Sequence, residues 1–280
     1  MSIELPEAHI LAEQMNKELR RKCISSYHLQ DCMSLQRLGF INCDTRSFDQ
    51  LVNGKIESVI SRGNVIRVKL DNGVNLIIAP EYGGRVLYHT SGKTVPDKLH
   101  LRVDFGDDTF LTVRLTGMGV IQVLKDDELK QSYVYSRDFS EAASPIDDEG
   151  FTFDRFSELL AEENVVLKSA LVGRHAIIVG LGNSAFQDIV YRARVHPKRK
   201  TSELSRNESR ALYDAIRLVL KERIRLGGKD EFSDLYGHQG SYRPAMGPNM
   251  KQQICPVCGT LIEKLSIGGG QTYFCPKCQK

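Results

Sequence analysis

Cys255-Pro256-Val257-Cys258 and Cys275-Pro276-Lys277-Cys278 end the chain with two pairs of cysteines that 16 residues separate. Four thiolates at this spacing are typical of a tetrahedral zinc site. Two disulfides are the alternative, but the chain has seven cysteines, an odd number, and no secretory segment precedes them. We therefore predict Zn²⁺ as the cofactor, bound by these four cysteines in a reducing compartment.

The residues between the two cysteine pairs favour a short β-hairpin. Gly268-Gly269-Gly270 predicts the turn, and residues 261–265 and 271–274 on either side of it predict the strands. The metal would hold this ribbon in place, because so short a segment lacks a core of its own. The end of the ribbon is then free to reach a partner.

Composition indicates a protein of more than one domain outside the membrane. The chain has 280 residues, 41% of them hydrophobic, and contains no apolar run near the roughly 20 residues that span a bilayer. The net charge is only +3, but acids concentrate in residues 104–108 and 147–163, and bases in residues 192–225. A basic second half favours a polyanionic partner.

Periodicity divides the chain into segments of different structure. Residues 6–20 have apolar positions at helical spacing, and residues 51–123 alternate as antiparallel strands do. Helical spacing returns after residue 150 and continues to Gly227, before a stretch rich in Gly, Pro and Ser. The predicted domains are a β-sandwich at 1–135, a linker at 136–150, a helical domain at 151–232 and a zinc finger at 250–280.

A glycine-rich turn opens one of the predicted helices. Gly180-Leu181-Gly182-Asn183 follows an apolar run, and free amides at such a helix start can bind a phosphate. A Gly-Asn cap that binds nothing is the alternative. The basic turn Lys198-Arg199-Lys200 after His196-Pro197 adds positive charge, which favours several phosphate contacts from one helical unit.

Taken in order, these motifs resemble the formamidopyrimidine-DNA glycosylase and endonuclease VIII family. The similarity rests on the start Glu4-Leu5-Pro6-Glu7, on the Gly180–Asn183 helix-two-turns-helix motif, on His196-Pro197 and on the four-cysteine finger. It spans nearly the whole chain and is weakest between Pro96 and Gly150. It implies a β-sandwich and a helical domain that flank a cleft, where duplex DNA is bent and a damaged base is extruded.

The chain departs from the family at the residue that normally performs covalent catalysis. Family members begin with a proline whose nitrogen attacks the sugar C1′, next to a glutamate that assists ring opening. That glutamate is Glu4 here, but Ile3 stands in the place of the proline, and its peptide nitrogen is not a nucleophile. If Met1 is removed, the free amine belongs to Ser2, one residue upstream and thus displaced by about 3.5 Å.

Two positions that the resemblance assigns to phosphate binding also lack their charge. The hairpin lysine of the family aligns with Asn64, and the finger arginine aligns with Gly270. The residue that enters the base stack stays open between Met118 and Tyr82, and a loop or core role fits either of them equally well.

Glu4 and Glu7 have structural alternatives to a catalytic role. Glu4 is a candidate general acid or base, or else an N-cap partner of the first helix. Glu7 either orients that site or is a solvated residue of the first turn. Within the resemblance, Glu4, Ser2 and Glu7 are the candidate catalytic residues. The candidate DNA-binding residues are Asn64, Gly182, Asn183, Lys198, Arg199 and Lys200.

Together these observations predict a multidomain α and β protein. It has an N-terminal antiparallel β-sandwich with a leading helix, a helix-two-turns-helix domain and a C-terminal zinc hairpin. We expect a monomeric, cytoplasmic protein, nucleoid-associated if bacterial, that binds duplex DNA carrying damaged or abasic sites. The expected activity is that of a base-excision DNA glycosylase with weak or absent lyase activity. The alternative is a catalytically inactive module that binds damaged DNA.

Overall fold

The computed structural model describes residues 3–81, 83–139, 142–173 and 175–280. The chain divides into two compact units. The first unit contains residues 1–140 and 226–241, and the second contains residues 141–225 and 242–280. Two residues singled out in the sequence, Ser2 and Tyr82, lie outside the described residues.

The first unit consists of a long helix followed by two antiparallel sheets. Its elements are α1 (Leu5–Leu19), β1 (Ile24–Leu29), α2 (Met33–Arg37), β2 (Ile56–Arg62), β3 (Val65–Leu70), β4 (Val74–Ala79), β5 (Arg85–His89), β6 (Leu101–Phe105), β7 (Phe110–Arg114), β8 (Val120–Lys125) and α3 (Tyr133–Asp138). One sheet has the order β1-β6-β7-β5, and the other has the order β2-β3-β4-β8. The predicted β-sandwich with a leading helix is confirmed.

Helix α1 buries one face against the second sheet. Pro6 lies in its first turn, where the missing N–H of proline costs no hydrogen bond. Leu11, Met15 and Leu19 follow at helical spacing, are almost fully buried, and face strands β2 and β3. Burial of each such side chain stabilises the fold by about 1.5–3 kcal/mol.

The second unit combines α-helices with the terminal hairpin. Its elements are α4 (Phe153–Ala161), α5 (Leu167–Leu171), α6 (Asn183–Arg192), α7 (Arg206–Arg225), β9 (Glu263–Ile267) and β10 (Gly270–Phe274). Helix α6 packs against α7 on one side and against β10 on another. None of the helices within the described ranges combines the length and the apolar character that a bilayer crossing requires.

Several observed elements differ from the sequence prediction. Strand β1 was missed, because half of its residues are exposed and it lies at a sheet edge, where alternation is weak. Helix α3 occupies residues 133–138 and so overlaps the start of the stretch that was interpreted as a linker. Residues 226–241, interpreted as the end of the helical domain and a flexible stretch, group with the first unit.

The turn after α7 contains a glycine that no other residue can replace without strain. Gly228 has φ +89°, and a Cβ atom there would lie 2.5 Å from Cδ1 of Phe232. Gly237 has a similar φ of +85°, but a Cβ atom there meets nothing within 4 Å. The two glycines therefore share the backbone constraint and differ in the steric one.

We expect Gly228→Ala to destabilise the protein more than Gly237→Ala. The left-handed backbone costs about 1–2 kcal/mol in both variants, whereas the clash with Phe232 adds about 1–3 kcal/mol in Gly228→Ala alone. Denaturant unfolding followed by circular dichroism measures both variants against the parent. Equal midpoints for the two variants would contradict the steric argument.

Candidate functional site

The start of the described chain is buried and hydrogen-bonded within the first unit. The backbone N–H of Ile3 donates to the carbonyl oxygen of Glu81 over 3.2 Å. Ile3 is 3% exposed and Glu4 is 2% exposed. The nitrogen of Ile3 is therefore an amide that already serves as a donor, and the carboxyl of the following residue is held in the interior.

Glu7 fixes the position of Glu4 from the next turn of α1. Its Oε2 accepts a hydrogen bond from the backbone N–H of Glu4 over 3.1 Å. Its Oε1 accepts one from the backbone N–H of Lys229 over 3.2 Å. Glu7 is fully buried, so it is not the solvated residue that was one of the two alternatives. The carboxylate joins the start of α1 to the segment that returns from α7.

Asp234 organises that returning segment and attaches it to α1. Its Oδ2 accepts from Nε2 of Gln14 over 2.9 Å, and Oε1 of Gln14 accepts from the backbone N–H of Leu235 over 2.9 Å. Its Oδ1 accepts from the backbone N–H groups of Tyr236 and His238. A buried carboxylate with this many donors holds the loop in one conformation.

A pocket of about 110 Å³ adjoins Ile3 in the first unit. Its volume corresponds to a few water molecules, since each occupies about 30 Å³ in the liquid. The exposed side chains of Arg85 and Glu231 offer a hydrogen-bond donor and an acceptor at its rim. The lining residues are Ile3, Gly83, Gly84, Arg85, Glu231, Phe232 and Ser233.

Asn64 lies in the turn between β2 and β3, where protein groups engage its side chain. Its Nδ2 donates to Oε1 of Glu81 over 3.3 Å, and its Oδ1 accepts from Nη2 of Arg137. Met118 lies between β7 and β8 and is 55% exposed. A core role for Met118 is therefore wrong, and its entry into the base stack stays a prediction.

In the second unit, the glycine-rich motif begins helix α6 as predicted. Gly180 has φ +78°, Gly182 is the N-cap residue, and Asn183 is the first helical residue. The side chain of Asn183 does not cap the helix. Its Nδ2 donates to the carbonyl oxygen of Gln271 in β10 over 2.8 Å. Asn183 thus joins the helix start to the hairpin of the finger.

Lys168 makes a second connection to the hairpin, and sequence reasoning missed it. Its Nζ donates to the carbonyl oxygen of Ile267 over 2.7 Å and contacts Oγ1 of Thr272 at 3.3 Å. Burial lowers the pKa of Lys168. Its ammonium lies 3.3 Å from the position that a Cβ atom at Gly270 would take. A single lysine in the apolar run 165–171 was the available signal.

The three basic residues of the turn after α6 have different surroundings. Lys198 and Lys200 are exposed. Arg199 forms ion pairs with Glu208 at 3.0 Å and with Glu203 at 3.5 Å, so acidic neighbours compensate its charge. Burial, with the charges of Lys198 and Arg199, lowers the pKa of His196, which is therefore neutral at pH 7. Two of the three predicted cations are available to a ligand.

The four cysteines of the finger form a site that fits Zn²⁺. Their Sγ atoms lie within 4.8 Å of one another, with 3.9 Å between Cys255 and Cys278 and 3.5 Å between Cys258 and Cys275. A zinc–sulfur distance of about 2.3 Å places the sulfurs of a tetrahedron about 3.8 Å apart. The donor set and its spacing are those of a structural zinc site, as predicted.

Tyr191 of α6 supports one ligand of the metal. Its hydroxyl lies 3.4 Å from Sγ of Cys255. Burial and this hydrogen bond raise the pKa of Tyr191, so the hydroxyl keeps its proton and can donate it to a thiolate. Cys255 and Cys275 share an apolar cluster with Tyr191, Met246, Ile262 and Tyr273. The finger therefore packs on helix α6 through its metal ligands.

Three family models match the chain in order. Residues 3–117 match the formamidopyrimidine-DNA glycosylase N-terminal domain, and residues 142–233 match the formamidopyrimidine-DNA glycosylase H2TH domain. Residues 253–280 match the zinc finger found in FPG and IleRS. The formamidopyrimidine-DNA glycosylase of Streptococcus pneumoniae R6 is 29% identical over 282 residues, which cover 99% of this chain and 98% of that protein. A Bacillus cereus formamidopyrimidine-DNA glycosylase is 27% identical over 241 residues, which cover 84% and 85%.

Solved structures of similar fold cover the chain from end to end. A complex of Lactococcus lactis Fpg with DNA that contains an abasic site superposes with a TM-score of 0.85 at 22% identity, and 99% of each chain is covered. MutM (Fpg) from Thermus thermophilus superposes with a TM-score of 0.82 at 23% identity, and 99% of this chain and 98% of that chain are covered. These similarities establish the fold of the whole chain.

We expect the purified protein to contain one zinc ion and to lose the order of its hairpin when the metal is removed. Structural zinc contributes its binding free energy to folding, about 10–16 kcal/mol in isolated fingers. Cys258→Ser should lower the zinc content and increase amide exchange in residues 263–274. Cys43→Ser, which changes an exposed thiol of the first unit, is the matched control. A hairpin that stays protected without metal would contradict this assignment.

Proposed function

This chain belongs to the formamidopyrimidine-DNA glycosylase family, and from that premise we propose that it releases damaged bases from DNA without a covalent intermediate. The observation that carries the proposal is the chain start. Ile3 contributes an amide that donates to Glu81, and Glu4 follows it in the interior. Glu4 therefore provides a carboxylate at this site, whereas the amide nitrogen of Ile3 cannot act as a nucleophile.

In this mechanism Glu4 acts as a general base toward water. Water attacks C1′ of the damaged nucleoside, its proton passes to the Glu4 carboxylate, and the bond between C1′ and the base breaks. The departing base takes up a proton from the solvent, Glu4 returns its proton to the solvent, and the attacking water remains as a hydroxyl on C1′. A positioned carboxylate of this kind contributes about 10²–10⁴-fold to the rate. Glu7 is a positioning residue in this scheme, because its carboxylate holds the backbone of Glu4.

Strand cleavage needs an amine that forms a Schiff base with C1′, and Ile3 cannot supply it. Ser2 is the alternative source of that amine if Met1 is removed, and it lies outside the described residues. We propose that lyase activity is weak or absent, since the route through Ser2 displaces the amine by about 3.5 Å.

The second unit supplies the proposed grip on the DNA backbone. The exposed lysines Lys198 and Lys200 offer donors to phosphate oxygens, which such groups bind without reading sequence, and Gly182 and Asn183 lie at the start of α6. The zinc-held hairpin adjoins the same helix start through Asn183. The proposed substrate is duplex DNA with a damaged or abasic site. We further propose that the protein acts as a monomer in the cytoplasm, on the nucleoid if the source is bacterial.

One observation favours the second candidate, a module that binds damaged DNA without chemistry. The side chain of Asn64 engages Glu81 and Arg137, and Gly270 has no side chain that could reach a phosphate. The family resemblance implies a lysine at the first of these positions and an arginine at the second. A protein without these two contacts would hold an extruded nucleotide less firmly, and a catalytic role would then depend on Glu4 alone.

The test is single-turnover base release from duplexes that carry oxidised or alkylated bases, and strand cleavage of a duplex with an abasic site, each with and without Glu4→Gln. We expect release of at least one base, a loss of about 10²–10⁴-fold in Glu4→Gln, and no covalent product when borohydride is present. Glu13→Gln changes an exposed carboxylate of the same helix and is the matched control. If no base is released from any duplex, the second candidate, a binding module without chemistry, is the remaining function. Borohydride trapping would instead point to an amine, with Ser2 as its source.

Substitutions in the basic turn should separate phosphate contacts from structural charges. We expect Lys198→Ala and Lys200→Ala each to reduce the slope of log affinity against log salt by about 0.9, because each removes one phosphate contact. Arg199→Ala should leave that slope unchanged and lower the thermal stability, since Arg199 is paired with Glu208. Fluorescence anisotropy at several salt concentrations measures the slopes. An Arg199→Ala slope as reduced as that of either lysine variant would overturn the distinction.

A further inference from the structure

Four side chains surround the turn between β2 and β3 and form what we term the hairpin-turn cluster, Asn64, Glu81, Arg137 and Asp138. Arg137 is the centre of the cluster. Its Nε donates to Oδ1 of Asp138 over 2.6 Å, its Nη1 to Oε1 of Glu81 over 2.9 Å, and its Nη2 to Oδ1 of Asn64. All three nitrogens of the guanidinium therefore have protein acceptors.

The cluster is largely shielded from water. The side chains of Arg137 and Glu81 are 20% and 18% exposed, and that of Asp138 is 2% exposed. Charge-assisted hydrogen bonds from a planar guanidinium fix both distance and direction, which a lysine ammonium does not do. Arg137 thus sets the positions of three neighbours relative to one another.

Asp138 ties the cluster to the backbone of the turn. Its Oδ2 accepts from the backbone N–H of Asn64 over 2.8 Å, and its carbonyl oxygen accepts from Nε of Arg62 over 2.7 Å. A Cβ atom at Gly63 would lie 2.4 Å from Oδ2 of Asp138, so glycine is required where the carboxylate approaches the chain. The end of α3 and the turn are therefore one fixed structure.

Glu81 extends this structure to the start of the chain. Arg137 and Asn64 both contact its Oε1, while its carbonyl oxygen accepts the N–H of Ile3. Glu4 is the next residue. A path of hydrogen bonds therefore runs from Arg137 through Glu81 to the peptide that precedes the proposed catalytic carboxylate.

The charges of the cluster argue against direct contact with a DNA phosphate. Arg62 and Arg137 carry two positive charges, and Glu81 and Asp138 carry two negative ones at contact distance. These charges cancel among the residues that the structure describes, and a site with no net charge attracts a polyanion weakly. The arrangement is therefore suited to fixing the geometry of the protein rather than to binding a phosphate.

We propose that Arg137 is a positioning residue that, through Glu81, holds Ile3 and Glu4 in the geometry needed for base release. The inference rests on the proposed function for its consequence in catalysis. Its structural part, the dependence of the Ile3 hydrogen bond on Arg137, can be tested even if the protein releases no base.

The first measurement is hydrogen exchange at the Ile3 amide in the free protein labelled with ¹⁵N-isoleucine. An amide so near the chain start exchanges rapidly unless a hydrogen bond protects it. We expect Arg137→Met to accelerate exchange at Ile3 by roughly tenfold, the effect of one hydrogen bond. Arg102→Met removes another ion-paired arginine of the first unit and should leave Ile3 unchanged. Unchanged exchange at Ile3 in Arg137→Met would overturn the proposal.

The second measurement is single-turnover base release and its salt dependence. We expect Arg137→Met to slow release by roughly 100-fold, as a misplacement of about 1 Å does, with duplex affinity and salt slope unchanged. Arg137→Lys keeps the charge and loses the planar geometry, so it should restore little of the rate. A salt slope reduced by about 0.9 with normal exchange at Ile3 would identify a phosphate contact instead.

The two measurements keep the proposals apart. If the parent protein releases no base, the proposed function fails, and exchange at Ile3 still decides the role of Arg137. If Arg137→Met does not fold, Glu81→Gln replaces it. Glutamine keeps the backbone carbonyl that accepts the Ile3 N–H and loses the side-chain ion pair with Arg137. We expect this variant to accelerate exchange at Ile3 in the same direction, and an unchanged rate would count against the proposal.

Discussion

The buried carboxylate of Glu7 is the contact on which the geometry of the first unit depends. One of its oxygens accepts the amide of Glu4, and the other accepts the amide of Lys229, a residue 222 positions farther along the chain. A carboxyl group removed from water requires such donors, because leaving its oxygens without partners would cost several kcal/mol. The same group therefore holds the first turn of α1 against the returning segment, from which 222 positions of the chain separate it.

Local patterns in the sequence were sufficient for the elements whose causes are local. The helix that begins at Asn183 follows from two glycines and an apolar run, and the finger follows from cysteine spacing. Strand β1 was missed because a half-exposed edge strand leaves little alternation. Because residues 136–150 were interpreted as a linker, no role was predicted for Arg137. Its partners Asn64 and Glu81 are 73 and 56 residues away.

The candidate site shows the same division between local and distant causes. Glu4 became a candidate through the family resemblance of the motif Glu4-Leu5-Pro6-Glu7, whereas Lys168 donates to a carbonyl oxygen 99 residues away. Burial lowers the pKa of Lys168, and no neighbour in the sequence explains a lysine in an apolar helix. Its acceptors can be identified only in the folded structure. The side chain of Asn183 likewise binds the hairpin, which the sequence pattern of a helix start did not indicate.

The hydrogen bond between Ile3 and Glu81 has a practical consequence for how the protein is made. An enzyme that attacks through its own α-amine is inactive until the initiator methionine is cleaved, and an affinity tag before that residue blocks it. Here an internal amide anchors the chain start, and the proposed attack uses water. A reaction that uses water in this way would not depend on removal of the residues ahead of Ile3 by an aminopeptidase.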